Sequence, residues 1–226
     1  MTAPLLVLDL DGTLVDTAED LIATLNVVLT AEGLRPMTRA DAGSLLGAGA
    51  RAMIERGFRL NGASLDTPKL DRLFADYLPL YSERIAEESR PFPGCVAALD
   101  RFAAAGWKLA VCTNKLEGLS RRLLDELALT SRFAAICGGD TFPVRKPDAG
   151  HLLGTIALAG GDPGRTVMVG DSATDVNAAK NARVPVVGVT FGYTDAPVAT
   201  YDPDAVIDHF DDLWDAVAVI EARRQG

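Results

Sequence analysis

Leu5-Leu6-Val7-Leu8-Asp9-Leu10-Asp11-Gly12-Thr13 is a short apolar run that closes on two carboxylates and a glycine. Bounded by Pro4 and Gly12 and too short for a helix, it reads as a strand buried on both faces. Side chains alternate across a strand, so an extended backbone through Leu10 points Asp9 and Asp11 the same way. Two carboxylates at the end of a buried strand repel each other and are expensive to desolvate without a cation or a proton. A bound Mg²⁺ removes that penalty. Two simpler readings fit less well. Asp11-Gly12 is a hairpin signal, but Thr13-Leu14-Val15-Asp16 makes a poor return strand before a long helical pattern. D-x-D also opens a calcium-binding EF-hand loop, which needs glycine at its sixth position; Leu14 stands there.

The rest of the 226-residue chain is long enough for one substantial core carrying an insertion. With 48% apolar and 23% charged residues it has the composition of an ordinary globular protein. Its formal charge of -9 argues against nonspecific contact with nucleic acid or an anionic membrane, both of which need a basic surface. An anionic substrate therefore needs local positive charge. The apolar run from Leu5 breaks at Asp9, so it makes no secretory signal, and no apolar segment approaches the roughly 20 residues of a membrane span. A cytoplasmic protein is expected. Cys95, Cys112 and Cys137 are far apart and lack C-x-x-C spacing, so neither a disulfide framework nor a zinc site is indicated. Cys112, inside Leu109-Ala110-Val111-Cys112, reads as a buried inert thiol. His151 and His209 are isolated, which argues against a histidine-based metal site.

Asp16 to Gly33, Thr38 to Leu46, Ala50 to Leu60 and Leu70 to Ile85 carry helical patterns without a convincing strand. Residues 16–88 thus form an all-helical block inserted after the first strand, ended by Pro91-Phe92-Pro93-Gly94. Beyond it, helix and strand alternate. Strands are expected at Lys108 to Cys112, Ala134 to Cys137, Thr166 to Val169, Val186 to Val189 and Ala205 to Ile207, with helices between them and Leu213 to Ala222 last. Such alternation predicts an α/β fold, a doubly wound and mainly parallel sheet with helices on both faces, built from residues 1–15 and 89–226.

Ligands of such sheets sit beyond the carboxyl ends of the strands. Asp9 and Asp11 follow the first strand, Thr113-Asn114-Lys115 the second and Gly170-Asp171-Ser172-Ala173-Thr174-Asp175 the fourth, while Lys146 lies in the loop after the third. Each signal is weak alone: Thr-Asn suits a helix cap, Gly-Asp a turn and a single lysine a solvated surface. Their convergence on successive strand ends is what points to chemistry.

In order, Asp9-Leu10-Asp11-Gly12-Thr13, Thr113-Asn114, Lys146-Pro147 and Gly170-Asp171 through Asp175 resemble the four signature motifs of the haloacid dehalogenase superfamily, and the chain as a whole is most similar to that family's bacterial phosphoglycolate phosphatases. The resemblance implies a Rossmann-like core with the helical block as a cap domain over residues 16–88. It also implies Mg²⁺-dependent hydrolysis of a small phosphorylated metabolite through an aspartyl-phosphate. Asp9 would be the nucleophile, a carboxylate being already ionised at neutral pH, and Asp11 the general acid and then base. Mg²⁺ takes oxygen ligands, here Asp9, the main-chain carbonyl of Asp11 and Asp171, with Asp175 one helical turn on acting behind them. Thr113, Asn114 and the main chain up to Gly12 would hold the phosphoryl oxygens, and Lys146 would neutralise charge on the phosphoryl group and Asp9.

Asp11 argues against the dehalogenase branch, which does without a metal and lacks this second carboxylate. A sugar-phosphate phosphatase or phosphomutase shares all four motifs and stays open. A phosphorylatable receiver domain, a switch rather than an enzyme, suits the chain poorly: its acceptor lies further along the sheet and it carries no inserted helical block. Within the block, Leu46-Gly47-Ala48-Gly49-Ala50-Arg51 is the expected substrate contact, because two glycines opening a helix expose main-chain N–H groups to an anion. It also fits G-x-G-x-x-A, but the preceding residues read as helix where a dinucleotide fingerprint needs a strand. Arg51 or Lys115 would pair with a substrate carboxylate.

Overall fold

The computed structural model describes every residue except Met1, Ala48, Asp195 and Gly226. Strand β1 (Leu5–Leu8) is wholly buried, and the apolar run that announced it is flanked on both sides by parallel partners. After a tight turn, the two-residue strand β2 (Val15–Asp16) leads into the helices α1 (Ala18–Ala31), α2 (Arg39–Ala42), α3 (Ala50–Leu60) and α4 (Thr67–Glu83). Strand β3 (Arg90–Pro91) brings the chain back, pairing antiparallel with β2 so that Asp16 faces Arg90. These two short strands bound the helical stretch on both sides. They were invisible in the sequence, since two residues carry no periodicity.

From there the alternation runs as expected: α5 (Cys95–Ala104), β4 (Lys108–Cys112), α6 (Glu117–Glu126), β5 (Ala135–Cys137), α7 (Ala149–Leu158), β6 (Thr166–Gly170), α8 (Ala173–Ala182), β7 (Val186–Val189), β8 (Ala205–Ile207) and α9 (Leu213–Gln225). The sheet order is β5-β4-β1-β6-β7-β8, and every pairing in it is parallel. Chain order runs outward from β1 to one edge, then returns to its other side and runs to the opposite edge. The reversal leaves a crevice at the carboxyl end of β1, the place where such sheets hold ligands.

Alternation along β1 explains the two layers. Leu6 and Leu8 join a core with Leu99, Phe102, Leu123 and Leu213 from α5, α6 and α9. Leu5 and Val7 join the opposite core with Leu152, Ile156, Val176 and Ala179 from α7 and α8. Each fully buried leucine contributes about 1.5–3 kcal/mol to this arrangement. The helical stretch continues the first of these cores through Leu25, Leu29, Met53, Phe58, Leu73 and Tyr77. Its helices approach closely: a Cβ on Gly57 of α3 would lie 2.7 Å from a Leu29 methyl carbon on α1, so a side chain there would have to displace Leu29. No helix among the described residues is long and apolar enough to cross a membrane.

Candidate active site

Asp9 follows β1 directly, and its amide still donates to Val169 O at 3.0 Å, so the sheet fixes where its side chain starts. Thr113 follows β4 in the same way, donating to Cys137 O at 3.0 Å. Gly170 ends β6 and leads to Asp171. A Cβ there would meet Asp175 Cβ at 2.3 Å, so the glycine is what lets the first turn of α8 close over the strand end. Asp175 reaches back to the start of its own helix, its Oδ2 accepting from Ser172 N at 3.0 Å and Ser172 Oγ at 2.6 Å. That reach-back fixes the side chain and leaves Oδ1 aimed at Lys146.

Carboxylate oxygens of Asp9, Asp171 and Asp175 lie within 4.8 Å of one another, and all three residues are buried. Into this group comes Lys146, its Nζ 2.8 Å from Asp9 Oδ1 and 2.6 Å from Asp175 Oδ1. The loop bearing Lys146 is held from beneath, its amide donating to Nδ1 of the buried His151 at 3.1 Å. Burial, with the Lys146 charge behind it, lowers the His151 pKa to about 4, which keeps that acceptor nitrogen unprotonated at neutral pH. Asn114, in the loop after β4, steadies the Lys146 loop from the side, its Nδ2 donating to Lys146 O at 3.0 Å.

Three carboxylates face one ammonium, and the imbalance shows in the acidity of Asp9 and Asp171. Burial raises the pKa of Asp9 to about 6 against the pull of Lys146. Burial, then repulsion from Asp175 and Asp9, raises Asp171 to about 8. Burial alone would depress Lys146, but Asp175 and Asp9 outweigh it and hold the amine above its ordinary value. An all-oxygen group short of positive charge is compatible with a hard divalent cation.

Asp171 is located by residues that carry no charge. Thr13 Oγ1 donates to its Oδ1 at 2.9 Å, and the amide of Tyr193 donates to its Oδ2 at 2.7 Å. A Cβ on Gly12, whose φ is +83°, would come 2.6 Å from Asp171 Oδ2; one on Gly192 would come 2.2 Å from Asp171 Cβ. Gly192 and Tyr193 were missed in the sequence. They follow β7, so the strand-end rule that found the other loops would have found them too.

The Asp11 carboxylate does not join this group. The extended backbone stops at Leu8, and the amides of Leu14 and Val15 both return to Leu10 O at 3.0 Å, folding residues 10–15 into a turn. Its carboxylate accordingly faces Lys115, whose Nζ is 3.1 Å from Oδ1, and Thr17, whose Oγ1 donates to Oδ1 at 2.8 Å. The Lys115 ammonium also donates to Tyr81 Oη of α4 at 2.7 Å, so a core lysine touches both the second carboxylate and the helical stretch.

The expected contact on that stretch is not brought to this cluster. Arg51 pairs with Asp71 at 2.6 Å and lies over the Phe74 ring, both on α4. Gly47 is exposed and Gly49 caps α3, while Ala48 between them lies outside the described residues. Helical turns precede them in place of a strand, so the dinucleotide pattern lacks its required context.

Residues 6–189 match the haloacid dehalogenase-like hydrolase family. The chain is 52% identical over 215 residues to a phosphoglycolate phosphatase of Agrobacterium fabrum, covering 95% of this chain and 92% of that one. A phosphoglycolate phosphatase of Mesorhizobium japonicum is 51% identical over 213 residues, covering 94% of both chains. In three dimensions, a predicted phosphoglycolate phosphatase from Haemophilus somnus superimposes with a TM-score of 0.88 at 29% identity, over 96% of this chain and 99% of that one. The chain belongs to the haloacid dehalogenase-like hydrolase family, and within it is a phosphatase similar to the bacterial phosphoglycolate phosphatases.

Proposed function

We propose that this enzyme hydrolyses a small phosphomonoester, phosphoglycolate in the first instance, by way of a phosphoryl group carried on Asp9. The observation that carries the proposal is the position of Asp9 at the end of β1, its carboxylate 2.8 Å from the Lys146 ammonium and grouped with Asp171 and Asp175. In the first step an Asp9 oxygen forms a bond to phosphorus as the ester oxygen leaves, and Asp11 gives that oxygen a proton. In the second, Asp11 takes a proton from water, whose oxygen displaces Asp9 and releases inorganic phosphate. Lys146 offsets the charge that would otherwise keep two anions apart. Thr113, Asn114 and the main chain up to Gly12 line the strand ends where the phosphoryl oxygens would sit.

The bound metal would be Mg²⁺, held by Asp9, Asp171 and the main-chain carbonyl of Asp11, with Asp175 and Lys146 behind them; it would screen the dianionic phosphoryl group from the attacking carboxylate. Residues 16–88 act as a cap over a core of 1–15 and 89–226, hinged at β2 and β3. Three free, buried cysteines suit a reducing, cytoplasmic setting. Lys115 supports the choice of substrate. A leaving oxygen at Asp11 brings the carboxylate of glycolate close to the ammonium that Asp11 and Tyr81 share, whereas Arg51 lies against α4, paired with Asp71.

Asp9→Asn tests the route. The purified variant should lose turnover of phosphoglycolate and of p-nitrophenyl phosphate alike; substantial remaining activity rules out attack by Asp9.

A further inference from the structure

Helix α1 opens the helical stretch, and its amino-terminal N–H groups need acceptors. Thr17 stands at its N-cap but makes no side-chain cap bond; its hydroxyl is turned to Asp11, to which it donates at 2.8 Å. Asp16 Oδ1 accepts from Ala18 N at 3.2 Å, and the closer acceptor comes from far along the chain. Tyr193 Oη takes Thr17 N at 2.7 Å and Ala18 N at 3.0 Å, and donates its own proton to Asp16. Asp16 in turn pairs with Arg39 of α2 at 3.1 Å, and the Arg39 guanidinium lies over the Tyr193 ring. The same residue's amide holds Asp171 Oδ2 at 2.7 Å. One buried tyrosine therefore grips the start of the helical stretch with its hydroxyl and a carboxylate of the acidic group with its backbone.

We propose that Tyr193 is a positioning residue that couples the cation affinity of the Asp9–Asp171–Asp175 group to the order of the hinge at Asp16–Ala18, through its hydroxyl on α1 and its amide on Asp171. The proposal rests on the reading of that group as a divalent-cation site. Coupling between two sites is reciprocal, so a cation that fixes Asp171 must quieten the hinge, and a loosened hinge must weaken the cation. Tyr193→Phe separates the two ends, since it removes the hydroxyl and leaves the amide.

Two measurements on the full-length protein decide it. Mn²⁺ titration followed by electron paramagnetic resonance should give a dissociation constant about five- to tenfold higher for Y193F than for wild type. Hydrogen exchange at the Thr17 and Ala18 amides should slow on Mn²⁺ or Mg²⁺ addition in wild type and respond much less in Y193F. A tyrosine that only stabilises the fold would lower the melting temperature and leave Mn²⁺ affinity unchanged, and that result overturns the proposal. If Y193F does not fold, the wild-type exchange experiment decides alone: hinge amides indifferent to the cation overturn it. Wild type that binds no Mn²⁺ overturns the cation-site reading and this proposal together, whereas Mn²⁺ binding that Asp171→Asn removes but Tyr193→Phe leaves intact overturns only the coupling.

Discussion

Asp171 shows how much of a charged site depends on uncharged neighbours. Its Oδ1 and Oδ2 are each taken by one donor, and Gly12 and Gly192 leave no room for a Cβ beside it. Gly192→Ala must therefore shift Asp171 or the Gly12 main chain, which a Cβ would approach at 2.4 Å. The expected loss is about 1–3 kcal/mol of stability by urea unfolding, together with weaker Mn²⁺ binding. Lys115 gives a second prediction. Lys115→Met should raise KM for phosphoglycolate about tenfold to a hundredfold, the worth of one charged hydrogen bond. KM for p-nitrophenyl phosphate, which has no carboxylate, should change little. At this scale the strand-end positions of Asp9, Thr113 and Asp171 were legible because each directly follows a strand that its own apolar run announces, while Lys146 reaches Asp9 from further along the loop after β5. The direction of Asp11 was not, because strand alternation applies only while the backbone stays extended, and it turns at Leu10.

Between elements, the junction of core and helical stretch is held by Asp20 of α1. This carboxylate is 1% exposed and accepts from Glu88 N, Ser89 N and Ser89 Oγ, the last at 2.6 Å. Asp20→Ala would leave the amide and hydroxyl of buried Ser89 without their acceptor, at a cost of about 2–4 kcal/mol measurable by urea unfolding. Nothing in the sequence marks Asp20, since an acidic residue in a first helical turn is common for reasons of dipole alone. The helices themselves were easier: Ala50 to Leu60 falls where its pattern put it. β2 and β3 escaped because their pairing is a tertiary fact, made by chain that returns some seventy residues later.

Taken whole, the molecule concentrates buried negative charge at the reversal point of its sheet. Asp9 and Asp171 titrate near 6 and 8 in the folded chain against 3.8 as ordinary carboxyls. Between those values the native state binds more protons than the unfolded state, so stability falls as pH rises. Metal-free protein should accordingly lose melting temperature from about pH 4 to about pH 8, and saturating Mg²⁺ should flatten the decline. A melting temperature that rises across that interval in chelator would contradict the electrostatics described here. The doubly wound sheet was readable from alternation alone, while the strand order around β1 is what turns four separate motifs into one site.

The proposed attack by Asp9 is tested most directly by trapping the phosphorylated side chain. Enzyme quenched during turnover and reduced with borohydride should yield a peptide in which residue 9 has become homoserine, the reduction product of an acyl-phosphate. Turnover without modification at residue 9, or with the modification on another carboxylate, would contradict the account.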